Sequence, residues 1–144
     1  MKLKSKDFEI INLLRHGESV EKISKRLKAP KSTIYYHVNK LKSGGLIKGL
    51  RISFDYSDGS DNSSAIILVS LDRTNAKEIT DFANELKRYG NVVSDVYGIS
   101  GDWDFAVFAH GKKDQLESFI QKDLHNLQNV KRTSSLFVMR HLEM

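Results

Sequence analysis

The sequence predicts an α+β chain: an N-terminal winged helix-turn-helix followed by a C-terminal ferredoxin-like βαββαβ domain. Three observations carry this expectation. In the first third of the chain, apolar residues recur at helical spacing in short segments, two of them separated only by Lys28, Ala29 and Pro30. After residue 64 the apolar period alternates between strand and helix in the order β-α-β-β-α-β. Charge is also divided. Residues 1–56 carry 13 Lys/Arg against 5 Asp/Glu, whereas residues 57–144 carry 10 against 13. A basic part joined to a mildly acidic one points to a polyanion-binding module attached to something else.

The first expected helix covers residues 7–14, with Phe8, Ile11 and Leu14 on its apolar face and Ile10 beside them. The second covers residues 19–28, with Val20, Ile23 and Leu27 inward and Ser19 as its N-cap. The third starts near Lys31, buries Ile34, Val38 and Leu41, and stops at Gly44-Gly45. Two helices across so short a joint cross steeply, the arrangement of a helix-turn-helix. "LRISFDY" (residues 50–56) then alternates as a strand with one buried face. "SDGSDNSS" (57–64) has no apolar residue and reads as a linker. The expected parts are therefore a DNA-binding domain at 1–50, a hinge strand and linker at 51–64, and a second domain at 65–144.

In that second domain "AIILVSL" (65–71) is a near-continuous apolar run, hence a well-covered strand. Residues 75–89 are helical, with Ile79, Phe82, Ala83 and Leu86 on one face, Asn75 and Glu78 at capping-box spacing, and Gly90 as the stop. "VVSDVYGI" and "FAVFAH" are strands joined through "SGDWD", short enough for a hairpin. "KDQLESFIQKDLHNL" is a helix through Leu116, Phe119, Ile120, Leu124 and Leu127, and "VKRTSSLFVM" closes the fold as a strand. Helices on one side of a four-stranded sheet leave the other side bare, so at least a homodimer is expected.

Several classes of function are excluded. No apolar run approaches the roughly 20 residues that span a bilayer, and "MKLKSKDFEI" lacks the apolar core of a signal peptide. Without cysteine there is neither disulfide nor thiolate metal site, which fits a cytoplasmic location. His16, His37, His110, His125 and His141 show no ligand spacing, so no metal is expected. No nucleophile elbow, P-loop or dinucleotide fingerprint occurs, and neither an enzyme nor a cofactor is expected.

The outward face of the third helix is the most informative feature. Ser32, Thr33, Tyr36, Asn39, Lys40 and Ser43 lie roughly opposite its apolar row, with Tyr35 on the flank and Lys31 adding charge with Lys22, Lys25 and Lys28 around the helices and the turn. Each type suits double-stranded DNA. Ser and Thr donate to phosphates or base edges, Asn pairs with adenine, and Lys reaches guanine or phosphate. Tyr offers a hydroxyl to phosphate and a ring to a thymine methyl. His37, on the flank, is expected to pack or to touch phosphate.

"ISKRLKAPKSTIYYHVNKLKSGGLIKGLR", followed by "GISGDWDFAVFA" and a closing "VKRTSSLFV", resembles the Lrp/AsnC (feast/famine) transcriptional regulators, archaeal members above all. The resemblance spans nearly the whole chain. It differs in a shorter first connection at "RHGES", in Pro30 where the third helix usually has a Ser cap (with Ser32 as a substitute), and in the Ser-rich linker. It implies dimers that assemble into tetramers or octamers, and a C-terminal domain that binds a small amino-acid effector. The positions it implies for that effector are Tyr97, Ser100, Gly101, Asp102, Asp104, Thr133 and Ser135. Carboxylates there would receive the ammonium; backbone N–H groups and hydroxyls would receive the carboxylate. The alternative reading of "SGDWD" is a tight hairpin whose Trp103 packs at an interface. For the whole chain two alternatives stay open: a weakly specific architectural DNA-binding protein without effector, and an enzyme like the siroheme decarboxylases. The net-acidic second half and its scattered histidines weigh against the enzyme.

Overall fold

The computed structural model of the chain describes residues 2–49 and 61–142. Two compact units divide it, Met1–Ser53 and Phe54–Met144. The strand expected at residues 50–56 and the linker residues 57–60 lie outside the described residues.

The first unit contains α1 (Ser5–Arg15), α2 (Val20–Leu27) and α3 (Lys31–Ser43) around a small core of Ile10, Ile23, Ala29, Ile34 and Val38. Leu13, Leu14, Val20, Leu27 and Ile47 pack against that core. Ser19 caps α2, its Oγ accepting the Lys22 N–H at 3.3 Å. The joint to α3 turns at Lys28, which takes the left-handed conformation at φ 48°, and Ser24 Oγ donates to the Ala29 carbonyl across it. Pro30 is the N-cap of α3 and no side chain bonds its first turn, so Ser32 does not act as a substitute cap. Gly45, at φ 74°, ends α3 where the Gly-Gly pair predicted a stop.

The inward face of α1 is rotated from the expected one. Asp7 and Ile10 are fully buried, while Phe8 is 57% exposed. Asp7, Ile10 and Leu14 fall at i, i+3 and i+7, so a carboxylate holds the first core position and Phe8 is turned about 100° away.

The second unit is a four-stranded antiparallel sheet of β1 (Asn62–Leu71), β2 (Val93–Gly98), β3 (Phe105–Lys112) and β4 (Val130–Phe137), in the order β2-β3-β1-β4. This is the predicted ferredoxin-like arrangement, with β1 and β3 inside and β2 and β4 at the edges. β1 begins at Asn62, so Asn62, Ser63 and Ser64 are strand and not linker: in register with Lys112, Gly111 and His110, their backbone is held by β3 despite their polar side chains.

Helix α4 (Ala76–Leu86) and α5 (Lys113–Ser118) cover one face of the sheet. Asn75 Oδ1 accepts the Glu78 N–H at 2.9 Å, as the capping-box spacing predicted. Phe82 and Leu86 are buried, but Ile79 is turned partly to solvent. The second helical stretch is not uniform: α5 passes into a π turn, Phe119–Asp123, and then a 3₁₀ turn, Leu124–Asn126. A regular α-helix drifts about 40° for each step of four residues. The local change of pitch keeps Leu116, Ile120 and Leu124 all inward, with Phe119. These residues meet Ala65, Ile67, Val69, Phe105 and Val107 in one core.

The opposite sheet face carries Ile66 and Leu68 of β1, opposite Phe108 and Ala106 of β3 and, on the other side, Leu136 and Ser134 of β4. Tyr97, opposite Ala106, adds its ring edge-on to Phe108 at 5.6 Å between centroids. Tyr97 and Leu136 are both exposed, and the unit's own described helices do not cover this face.

Candidate functional site

Two groups of residues carry chemistry, one in each unit. In the first unit α3 is fixed from below by Ile34, Val38 and Leu41, all buried. Its opposite side therefore faces out: Lys31, Ser32, Tyr35, Tyr36 and Asn39 are exposed, with Thr33 and Lys40 half-buried. Of the two tyrosines Tyr36 is the more exposed, at 66%.

Two of the lysines have acidic partners. Lys31 Nζ lies 2.5 Å from Glu21 Oε1, linking α3 to α2, and this hydrogen bond holds the Glu21 carboxyl below its usual range. Lys40 Nζ lies 3.7 Å from Asp7 Oδ2. His37 does not point to solvent: its Nδ1 is 2.7 Å from Asp7 Oδ1, with 13% of the side chain exposed. Asp7 Oδ2 also accepts the Lys4 backbone N–H at 2.8 Å. The Lys4 backbone bond first, then the His37 bond, hold the Asp7 carboxyl below its usual range against the opposing effect of burial. The surface is thus basic and aromatic, over a buried carboxylate that sequence periodicity did not reveal. The available signal was a charged residue at i−3 from Ile10.

In the second unit the turn between β2 and β3 is closed by Ile99 N–H donating to the Asp104 carbonyl at 2.9 Å, with Gly101 at φ 114°, a region that favours glycine. Asp104 is tied to β1 twice. Its N–H donates to the Val69 carbonyl at 2.9 Å, and its Oδ2 accepts the Leu71 N–H at 2.7 Å. That leaves Asp102, exposed, as the freer carboxylate of the pair. Arg132, at the neighbouring end of β4, reaches over this turn. Its guanidinium carbon stands 4.3 Å from the Trp103 ring centroid, and Nη2 donates to the Asp102 carbonyl at 3.3 Å.

The seven positions implied for an effector do not form one cluster within the chain. Ser100, Gly101, Asp102 and Asp104 share the turn. Thr133 and Ser135 pair with Val69 and Ile67 and so point to the helix side of the sheet, where Thr133 Oγ1 meets His125 Nε2 at 3.1 Å. Tyr97, opposite Ala106, points to the other side. Sequence reasoning missed Arg132, the residue just before the Thr133 it singled out; its proximity to Trp103 depends on how β4 returns beside β1.

Among the described residues no group of three or more His, Cys, Asp or Glu is placed to hold a metal ion, and no helix is long and apolar enough to cross a membrane.

Residues 64–144 match the family model described as the Lrp/AsnC ligand binding domain. The chain is 26% identical to an uncharacterized HTH-type transcriptional regulator of Pyrococcus abyssi over 136 residues, which covers 92% of this chain and 89% of the relative. Its fold is that of a transcriptional regulator of Neisseria meningitidis solved as an L-Met complex, with a TM-score of 0.77 at 19% identity over 99% of this chain and 94% of the other. It is also that of a feast or famine regulatory protein of M. tuberculosis complexed with L-methionine, with a TM-score of 0.75 at 16% identity over 99% and 96% of the two chains. These relatives are named as transcriptional or feast or famine regulators.

Proposed function

The chain belongs to the Lrp/AsnC family of transcriptional regulators, and from that premise we propose that it is a sequence-specific DNA-binding regulator working in the cytoplasm as a homodimer or larger assembly. One observation carries the reading: α3 is anchored by three buried aliphatic residues and turns two tyrosines, an asparagine and hydroxyl-bearing residues outward. In a dimer, two such helices would enter successive major grooves, about one helical turn apart. Tyr36 and Asn39 would read base edges, while Lys31, Ser32, Thr33, Tyr35 and Lys40 would position the helix on phosphates or add base contacts. Residues 1–50 are the DNA-binding part, and the unit that begins with β1 at Asn62 is the effector-binding and assembly part.

The sheet face with Ile66, Leu68, Phe108, Tyr97 and Leu136 is the surface on which two copies pair, with tetramers or octamers built from the dimers. An amino acid is the effector, as suits a family with L-methionine complexes. The turn at Ser100–Gly101–Asp102 offers a carboxylate to its ammonium, and Arg132 offers a cation to its carboxylate. Because Thr133 and Ser135 are separated from Tyr97 by the sheet itself, a site using all seven positions would draw on more than one copy of the chain.

The test is a competition gel shift at near-physiological salt, with DNA from upstream of the protein's own gene and from a genomic fragment pool against random DNA. Specific sites bind on the order of 10³-fold or more tighter than bulk DNA. A fragment that resists random competitor supports the reading. Uniform retention of every fragment, with a steep dependence on salt, would mean an architectural DNA-binding protein instead.

A further inference from the structure

Asp7 is the one fully buried polar side chain among the described residues, and it faces a histidine and a lysine. His37 Nδ1 lies 2.7 Å from Oδ1, and Lys40 Nζ lies 3.7 Å from Oδ2, which also accepts the Lys4 backbone N–H. Both groups belong to α3, and the Tyr36 ring stands edge-on to that of His37, at 5.6 Å between centroids. The titratable and charged groups facing His37 are thus Asp7 from α1, and Tyr36 and Lys40 from its own helix.

A carboxylate without access to water must be compensated from within the protein. When His37 is an imidazolium, the shorter contact supplies that compensation and Lys40, 29% exposed, can swing toward an external anion. When His37 is neutral, Nδ1–H still donates to Oδ1, but the Asp7 charge is left to Lys40 alone. The two cations therefore compete for one carboxylate, and only Lys40 has the length to leave it.

We propose that Asp7 is a positioning residue for the DNA-reading helix, and that protonation of His37 releases Lys40 from Asp7 to a DNA phosphate. This rests on reading α3 as the DNA-facing helix. DNA binding is then coupled to proton uptake, so affinity rises as pH falls. The second consequence concerns salt: each DNA-binding unit makes one phosphate contact more at the acid end, worth about 0.9 in the slope of log affinity against log salt.

The experiment measures binding of the full-length protein to a fixed duplex at constant ionic strength from pH 5.5 to 8.5, for wild type, H37Q and H37R. Wild type should lose on the order of tenfold in affinity per DNA-binding unit as pH rises, the worth of about one charge-assisted contact. Glutamine keeps a donor without charge, so H37Q should be flat near the wild-type alkaline level. Arginine carries a permanent charge, so H37R should be flat near the acid level. A wild-type slope that persists in H37Q overturns the proposal. If neither variant folds, NMR of the wild type decides: DNA added at pH 7 should move the His37 ring signals toward the protonated position, and ring signals unmoved by DNA overturn the proposal. A wild type that binds no DNA at any pH overturns the assignment of α3 itself; DNA binding with a slope indifferent to residue 37 overturns only the coupling.

Discussion

The carboxylate of Asp104 accepts the backbone N–H of Leu71 at 2.7 Å, so the turn between β2 and β3 is fastened to the end of the central strand β1. The bond falls where the β1–β4 register shifts, between Ser70 and Leu71, and it supplies the Leu71 donor with a partner there. Asp104→Ala should therefore destabilise the second unit by about 1–3 kcal/mol, the cost of leaving a part-buried donor unpaired. Urea unfolding of the variant checks it: a midpoint unchanged from wild type would show that water replaces the carboxylate at no cost.

Arg132 and Trp103 supply an optical probe of the same turn. Arg132→Gln removes the cation from 4.3 Å above the indole ring and should change Trp103 emission while lowering stability by only about 0.5–1 kcal/mol. The chain has a single tryptophan, so the signal is unambiguous. If the proposed effector site lies here, an amino acid that binds will shift that emission in the wild type and not in Arg132→Gln.

Acid should unfold the first unit in a way that depends on Asp7. Its carboxyl is held below the ordinary value of 3.8 by the Lys4 N–H and by His37. A depressed carboxylate adds stability that is fully present above the unfolded-state value and is lost as pH falls through the lower folded-state value. Wild type should therefore melt higher than Asp7→Asn at neutral pH, and the two curves should converge below about pH 4. Melting curves that stay parallel down to pH 2 would contradict the ionised, hydrogen-bonded Asp7.

Tyr36→Ala should separate reading from holding. The side chain is 66% exposed, so its loss should leave folding nearly untouched. If it reads a base edge, affinity for a specific site should fall by about tenfold or more while affinity for random DNA changes little. Equal losses on both would make Tyr36 a phosphate contact.

Phe119→Ala, inside the π turn, should cost about 3–5 kcal/mol, because the ring is buried against the sheet and touches Tyr89 at 5.2 Å between centroids. Amide exchange followed residue by residue would show faster opening throughout the second unit, with the helices of the first left as they were.

What was legible in the sequence was what local chemistry determines. Ser19, Asn75 and Gly45 mark helix ends through bonds or dihedral angles spanning only a few residues. The near-continuous apolar run of β1 similarly declares a strand. The inward position of Asp7 was not legible, because its partner His37 lies 30 residues on and periodicity counts only apolar side chains. The same blindness put Phe8 inside and Ile79 on the buried face. For the candidate site, the outward turn of the α3 row was legible, because exposure there follows from the buried Ile34, Val38 and Leu41, though Thr33 and Lys40 are only half-exposed. It could not supply the side of the sheet to which each effector position points. That depends on pairing register, where a shift of one residue exchanges the faces, and it is register that places Thr133 beside Val69 and Tyr97 beside Ala106.

The place where the chain enters the second unit has a mechanical meaning. β1 begins at Asn62 and is the interior strand hydrogen-bonded to both β3 and β4. A pull on the backbone at Asn62 falls on this strand. It is borne in shear by two ladders of hydrogen bonds at once, where an edge strand would be peeled away one rung at a time. The sheet is thus entered at Asn62 through a strand held on both of its sides.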